Sequence, residues 1–503
     1  MTTQLNSRTI IQAVRDHPLP ARLGAAAVVV AAAIGIGLVL PRGPMTSFES
    51  VSVFILLAVV GVAAGILSRT RWAALLAPML FAAVFEVVRL RVTGPTVDAV
   101  RLGDIYGILA FVAGRGFDAI VLLLPLAFGA LWGTAVAPRI TGAVPTRKVR
   151  LRRVGIAVSG VVAALLLVAL VRPAATDPIL DADGNVVEGS IAELVTVPIG
   201  GHDQSLMLRG ADADAPVLLF LEGGPGGTAT GSMRVAGKPL EDHFVVATWD
   251  QRGTGASAHA LEPTSTLTLD QMIADAIEVT EYLCDRFDEQ AIYVVGSSWG
   301  TTLGVLAVQQ RPDLYHAYVG TGQMVDQFET DTLMYAESLA YAERVGDEAF
   351  ADRLREIGEP PYDDTFAYTQ ALAANPEWVD YPRGEDYDMR AEYPQSLFVG
   401  EFTLTEQVRA AAGMFETFAV LYPQLEDVDL RRTVLQLEVP VYLIEGAYEV
   451  PGRATLAYEW FEELKAPSKQ LVVFDRSGHT PQRDEPGRFA DFLAGVVLAE
   501  TAA

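Results

Sequence analysis

The chain has 503 residues, enough for two or more domains, and its 62 acidic residues outnumber 37 basic ones. The imbalance is uneven: the first 172 residues carry 17 Lys+Arg against 6 Asp+Glu, and the remainder carries 20 against 56. The acidic remainder argues against nucleic-acid binding, and a single cysteine, Cys284, excludes an intramolecular disulfide.

Five apolar runs come first, at 23–40, 51–68, 72–90, 117–137 and 154–171. Each approaches the ~20 residues that cross a bilayer as a helix, and a cleaved signal peptide does not explain five of them. Residues 1–172 therefore read as an all-α transmembrane domain of about five helices. The stretch 104–114 is too short to span and is expected at the interface. Orientation follows from basic residues at the span ends. Arg8, Arg15 and Arg22 precede the first run, Arg69 and Arg71 separate the second from the third, and Arg139, Arg147, Lys148, Arg150, Arg152 and Arg153 separate the fourth from the fifth. All three groups are cytoplasmic if the N-terminus is inside. Arg89, Arg91, Arg101 and Arg115 then fall outside, against the rule, but the cluster before the fifth run outweighs them. Five spans place the rest of the chain outside the cytoplasm. Glu86, near the end of the third run, is expected to snorkel or to pair with Arg89, three residues on.

Residues 173–190 are polar and Asp-rich and read as a linker. The run 217–221 reads as a buried strand, followed by Glu222-Gly223-Gly224-Pro225-Gly226-Gly227, where glycines let backbone N–H groups approach a substrate oxygen. A second strand, 244–249, leads into Asp250-Gln251-Arg252-Gly253-Thr254-Gly255. Cys284 lies in a helix-like segment, 277–287, and is expected to pack in the core. A strand at 291–295 then meets Gly296-Ser297-Ser298-Trp299-Gly300, with a helix-like segment at 301–307. Strand, sharp turn, helix is the setting of a G-x-S-x-G nucleophile elbow, with Ser298 as nucleophile and the Trp299 N–H as an oxyanion donor.

A serine nucleophile needs a base, and the base needs an acid. In this fold the chain order is Ser, acid, His. Of the six histidines, His17, His202, His243 and His259 precede Ser298, and His316 follows too closely. His479 remains, just past a strand at 470–474. The acid should follow an earlier strand. The run 439–444 is such a strand, and Glu449 in the loop after it is the candidate, with Glu445, which more naturally ends the strand, as rival. Between the strand at 315–320 and that at 439–444, the sheet is interrupted. Helical patterning at 332–344 and 405–422 marks 323–437 as an inserted helical lid, rich in acids that include Glu337, Glu392, Glu401 and Glu406.

Gly223 to Gly226, Asp250 to Ser257 and Gly296 to Gly300 occur in the order and spacing of the prolyl iminopeptidase-like branch of the α/β-hydrolases, which the chain resembles from Ile191 to Leu498. Gly446-Ala447-Tyr448-Glu449 resembles that branch's acid loop, and the run from Leu464 through His479 to Pro486 is similar as well. The resemblance implies an α/β-hydrolase core at 191–322 and 438–503 with the lid at 323–437. It implies Ser298 as nucleophile, Glu449 as acid and His479 as base, with oxyanion donors from Trp299 and Gly224. Two positions depart from the pattern. Glu222 stands where the family has His, which makes it a candidate substrate-binding residue, and Glu449 stands where it has Asp. Neither metal nor cofactor is expected. The expected partners are a small-molecule or peptide substrate and the lipid bilayer, with no nucleic acid. The function expected is a membrane-anchored serine hydrolase, most specifically an aminopeptidase; an esterase or lipase fed by the bilayer and a catalytically silent binding domain are the alternatives.

Overall fold

The computed structural model describes residues 18–40, 45–90, 108, 111–141, 149–261, 263–362, 367–368 and 375–501. Arg8, Arg15, Arg91, Arg101, Arg147, Lys148 and most of 104–110 lie outside the described residues. The chain divides into two compact units, one largely within 1–173 and the other largely within 174–503.

The first unit is helical: α1 (Pro18–Val39), α2 (Ser47–Ser68), α3 (Ala73–Val88), α4 (Phe117–Thr141) and α5 (Val149–Val171). Thr46 starts α2 with a capping box, its hydroxyl accepting from the Glu49 N–H while the Glu49 carboxylate accepts from the Thr46 N–H. Four helices, 19–39, 47–68, 112–137 and 153–171, are long and apolar enough to cross a membrane by length and composition. The third run differs from expectation. Its helix, α3, has 16 residues, about 24 Å at 1.5 Å per residue, short of the ~30 Å hydrocarbon core. Leu75, Leu76, Val161, Leu165 and Val168 are each more than half exposed, so apolar side chains cover the outside of this unit as well as its core. Glu86 pairs not with Arg89 but with Arg115, at 2.7 Å. Arg89 instead sits at the end of α3, buried, with its guanidinium 5.0 Å from the Phe85 ring centroid.

Helices α2 and α4 touch backbone to backbone. A Cβ added at Gly61 would lie 2.3 Å from the Leu126 carbonyl oxygen, and one at Gly65 2.2 Å from that of Ala130. The same holds in reverse for Gly129 against Ala58 (2.1 Å) and Gly133 against Val62 (2.2 Å). Two small-x-x-x-small patterns thus interlock within one chain.

The second unit is an eight-stranded sheet in the order β1-β2-β4-β3-β5-β6-β7-β8. The strands are β1 (Ile191–Ile199), β2 (His202–Gly210), β3 (Val217–Leu221), β4 (Val245–Asp250), β5 (Ile292–Ser297), β6 (Tyr315–Thr321), β7 (Val441–Gly446) and β8 (Lys469–Phe474). β1, β2 and β4 pair antiparallel, and β4 through β8 are parallel. Strand residues alternate between two cores. Val217, Leu219 and Leu221 face one with Met272, Leu283, Leu303 and Trp460, while Leu218 and Phe220 face the other with Ala229, Met233 and Phe489. Helices α6 (Ala229–Ala236), α7 (Leu269–Phe287) and α8 (Trp299–Gln310) cross between the early strands. The interval between β6 and β7 carries α9 (Gln327–Val345), α10 (Glu348–Ile357) and α11 (Leu404–Leu421), and α12 (Pro451–Glu463) joins β7 to β8. Residues 173–190 contain neither helix nor strand, but Arg209 donates to the Thr176 hydroxyl and the Asp177 carbonyl and fastens the segment's start to β2. Cys284 is buried in α7, as its helical setting predicts.

Candidate active site

Register places the candidate residues at the carboxyl ends of the parallel strands. β3 pairs with β5 so that Leu221 lies opposite Gly296, and the glycine loop after β3 therefore lies beside the turn after β5. β7 pairs with β8 so that Gly446 lies opposite Phe474, which brings together the loops bearing Glu449 and His479.

Ser298 stands between β5 and α8 at φ 53°, ψ −122°, a conformation costly for a non-glycine residue and a mark of stored backbone strain. Its flanking glycines are there for contact. A Cβ at Gly296 would meet the Gly300 carbonyl at 2.4 Å, and one at Gly300 the Leu221 carbonyl at 2.1 Å. Trp299 opens α8, so its N–H is among those that a helix start leaves without an intrahelical acceptor. Gly224, at φ 127°, has no acceptor for its N–H among the described residues.

His479 Nδ1 lies 2.6 Å from Glu449 Oε2. Glu449 is buried, and its Oε1 accepts from the Val450 N–H (2.7 Å) and from Arg453 Nη1 (2.7 Å). Burial alone would raise the Glu449 carboxyl, but His479 and Arg453 reverse that and hold it below the usual range. It is an ionised acceptor at neutral pH, so Nδ1–H donates to it and Nε2 is left as the basic nitrogen. Glu445 is the opposite case. It is fully buried in β7, its Oε1 accepts only the Gln323 N–H (3.1 Å), and Oε2 has no partner among the described residues. Burial, reinforced by Glu449, raises its carboxyl.

Ser298 and His479 line one cavity of about 190 Å³ with Glu222, Gly223, Gly224, Tyr393 and Met414. Among the described residues no hydrogen bond joins the Ser298 hydroxyl to the His479 ring, as is common before substrate binds. A larger cavity of about 740 Å³, lined by Arg234, Glu241, Asp388 and Glu401 among others, contains neither residue.

The Glu222 carboxylate is engaged. Oε1 accepts from the Gly223 N–H (2.9 Å) and from Arg483 (2.8 Å), and Oε2 accepts from the Ser232 hydroxyl (3.1 Å). Arg483 also reaches Glu392, at 3.6 Å. Of the other acids in 323–437, Glu401 pairs with Arg234 at 2.8 Å and Glu406 accepts from the Thr403 N–H at 2.7 Å. Glu337 is raised by burial, and its Oε2 has no partner among the described residues.

Residues outside the expected set hold these loops. Gln251 donates to the Glu222 carbonyl (3.0 Å) and accepts from the Trp299 indole (3.0 Å), tying the glycine loop to the elbow. Arg252 forms a fully buried ion pair with Asp275 at 2.7 Å. Asp484 accepts from the Gly478 N–H (3.0 Å) and Tyr381 hydroxyl (2.9 Å), and Glu485 accepts from the Ser477 hydroxyl (2.7 Å), which fixes the loop of His479. The tripeptide Asp250-Gln251-Arg252 was legible as a motif, but its links become visible only once β4 lies beside β3.

Residues 216–486, more than half of the chain, match the family profile of the alpha/beta hydrolase fold. The chain belongs to the alpha/beta hydrolase fold family. Among curated relatives, this alpha/beta hydrolase is 31% identical over 312 residues to a protein named probable aminopeptidase YbaC of Bacillus subtilis (strain 168), a match covering 61% of the chain and 96% of that relative. It is 23% identical over 280 residues to a probable proline iminopeptidase of Leptolyngbya boryana, covering 52% of the chain and 81% of the relative. Among solved structures, the proline iminopeptidase of Mycobacterium smegmatis aligns with 62% of the chain and 99% of its own at 18% identity and a TM-score of 0.44. The prolyl iminopeptidase resemblance read from the three glycine-rich motifs thus agrees with the relatives' names.

Proposed function

We propose that the chain is a membrane-anchored serine hydrolase with aminopeptidase activity, acting outside the cytoplasm through Ser298, His479 and Glu449. The observation that carries this reading is the 2.6 Å contact of His479 Nδ1 with Glu449, a carboxylate held ionised, with His479 lining the same cavity as a strained Ser298. The strained turn presents the Ser298 hydroxyl, Nε2 of His479 takes its proton as Oγ bonds to the substrate carbonyl carbon, and Glu449 stabilises the imidazolium. The imidazolium then protonates the leaving amine, and water, activated by the same nitrogen, releases the acyl group. The N–H groups of Trp299 and Gly224 supply the oxyanion donors. The names of the two curated relatives favour an N-terminal amino acid as the acyl group. Charge placement favours the outside location, since Arg150, Arg152 and Arg153 open α5 while Arg172 alone is basic within 172–190 at its other end.

A fluorophosphonate probe tests the core of the proposal. Its phosphorus bonds to Oγ, fluoride leaves and the hydroxyl proton passes to His479. The full-length protein should be labelled, and Ser298→Ala should not. Absence of labelling in the folded wild-type protein, or persistence in Ser298→Ala, rejects the assignment. A panel of aminoacyl amides and acyl esters then separates aminopeptidase from esterase. Preference for long-chain esters over every free-amine substrate overturns the aminopeptidase reading and leaves the hydrolase.

A further inference from the structure

Arg453, in the first turn of α12, is 7% exposed and lies in the catalytic cluster without being required by the mechanism above. Its Nη1 is 2.7 Å from Glu449 Oε1 and 3.0 Å from His479 Nδ1. Its Nη2 meets only the Met334 sulfur, at 3.4 Å, and its Nε has no partner among the described residues. Burying a guanidinium with so few acceptors is expensive and is weak evidence of a stabilising role. The position calls for another explanation.

The hydrogen-bond geometry supplies it. Nδ1 carries one proton, and with Glu449 ionised that proton lies toward Oε2. Nη1 cannot also donate to Nδ1. It donates to Oε1 and stands as a cation against the edge of the ring. We propose that Arg453 is a positioning residue of the proposed triad: it clamps the long glutamate side chain by one oxygen, leaves the other for His479, and by its charge opposes protonation of the imidazole, which keeps the base available at lower pH. Glutamate has one more rotatable bond than aspartate, so a clamp on its free oxygen removes freedom that the shorter acid lacks.

The other groups around this cluster do not cancel the effect. Glu445 from β7 and Asp331 from α9 face Arg453, and burial raises both carboxyls, which favours their neutral forms. Glu337 from α9 is also raised by burial. Tyr368, and Tyr422 beyond α11, are neutral phenols near the guanidinium. Glu222 and Arg483 share the cavity with His479 but are paired with each other. Arg453 is therefore the cation against Nδ1, and removing it leaves an undivided Glu449 carboxylate to attract a proton onto the ring.

The inference rests on the proposed roles of Ser298, His479 and Glu449, and the test separates the two. The rate of fluorophosphonate labelling is followed against pH in wild type, Arg453→Met, Arg453→Gln and Arg453→Lys, each normalised to the folded fraction. The acid limb should move up by about one pH unit or more in the Met and Gln variants, and should stay near wild type in Arg453→Lys, which keeps the cation. If Met does not fold, Gln reads the same limb. An unmoved limb in the folded neutral variants, or an equal shift in Arg453→Lys, overturns the role of the charge. A fall in labelling that is uniform across pH also overturns it, because that is what a purely structural residue would show. Labelling that survives Ser298→Ala would instead reject the underlying triad.

Discussion

The proposed chemistry depends on which of two neighbouring glutamates is charged. Glu445 and Glu449 are four residues apart and both buried, yet of the two only Glu449 accepts a hydrogen bond from a cationic side chain among the described residues. Glu449→Gln should fold and lose on the order of 10³–10⁴ in kcat, because an amide does not hold the productive tautomer. Ser298→Ala and His479→Ala should each remove nearly all activity, and the double variant should be little worse, since the residues act as one unit; additive losses in kcat/KM would count against the assignment. Glu445→Gln should behave differently. A carboxyl raised in the folded state stabilises the protein fully below its unfolded value, about 4.3, and that contribution is lost as pH rises through the folded value. The amide cannot ionise. Glu445→Gln should therefore match wild-type Tm near about pH 4 and exceed it increasingly as pH rises to about 9, and parallel Tm curves would show that Glu445 does not titrate in this window. Glu222, expected from sequence to meet substrate, has its carboxylate committed to Gly223, Ser232 and Arg483. Glu222→Gln should then lose about 1–3 kcal/mol of stability and reduce kcat/KM equally on free and N-acetylated aminoacyl substrates. A selective loss on the free amine would restore the substrate-binding expectation.

At the scale of elements, the parallel strands β3 to β8 were legible because each is built on a short apolar run, buried throughout in β3, β4, β5 and β7. The antiparallel pair β1–β2 was not assigned. β1 mixes Glu193, Thr196 and Pro198 among its apolar residues, and β2 opens with His202-Asp203-Gln204, so neither presents a continuous run. Ser298 and His479 could be placed from motif and chain order. Arg453 could not, although its spacing of four from Glu449 is the one local signal; its significance needs β7 and β8 as neighbours. The glycines of α2 and α4 escaped for a similar reason, since Gly61, Gly65, Gly129 and Gly133 sit in apolar runs whose composition alone already suffices for a span. They make a direct prediction. Gly65→Val or Gly129→Val forces a side chain onto a facing carbonyl near 2 Å, which should cost at least about 1–3 kcal/mol in that helix pair. A disulfide between cysteines engineered across α2 and α4 should form in the parent and be reduced in yield in either valine variant. Unchanged yield would mean that the two helices do not need this close approach.

For the whole molecule, the proposal that the hydrolase unit works outside the cytoplasm turns on α3. In the proposed topology the last helix is oriented by its own flanks, with Arg150, Arg152 and Arg153 at its start and only Arg172 within 172–190 after it. The proposed topology likewise puts Arg8, Arg15 and Arg22 inside. Inside at the start and outside at the end requires an odd number of crossings. Four helices have the length to cross, so the proposed outside location needs the 16-residue α3 as a fifth crossing, with flanking residues or local thinning of the bilayer making up the difference. Exposed Arg71, in the turn before α3, should then be cytoplasmic, and exposed Glu188, past α5, external. In a Cys284→Ala background, Glu188→Cys should react with an impermeant thiol reagent on intact cells, while Arg71→Cys and a tag near Asn6 should be protected until the membrane is opened. If Glu188→Cys and the N-terminal tag are both accessible, α3 does not cross and four spans hold the chain. Protection of Glu188→Cys, with the N-terminus also protected, would place the hydrolase unit in the cytoplasm and overturn the charge argument at α5.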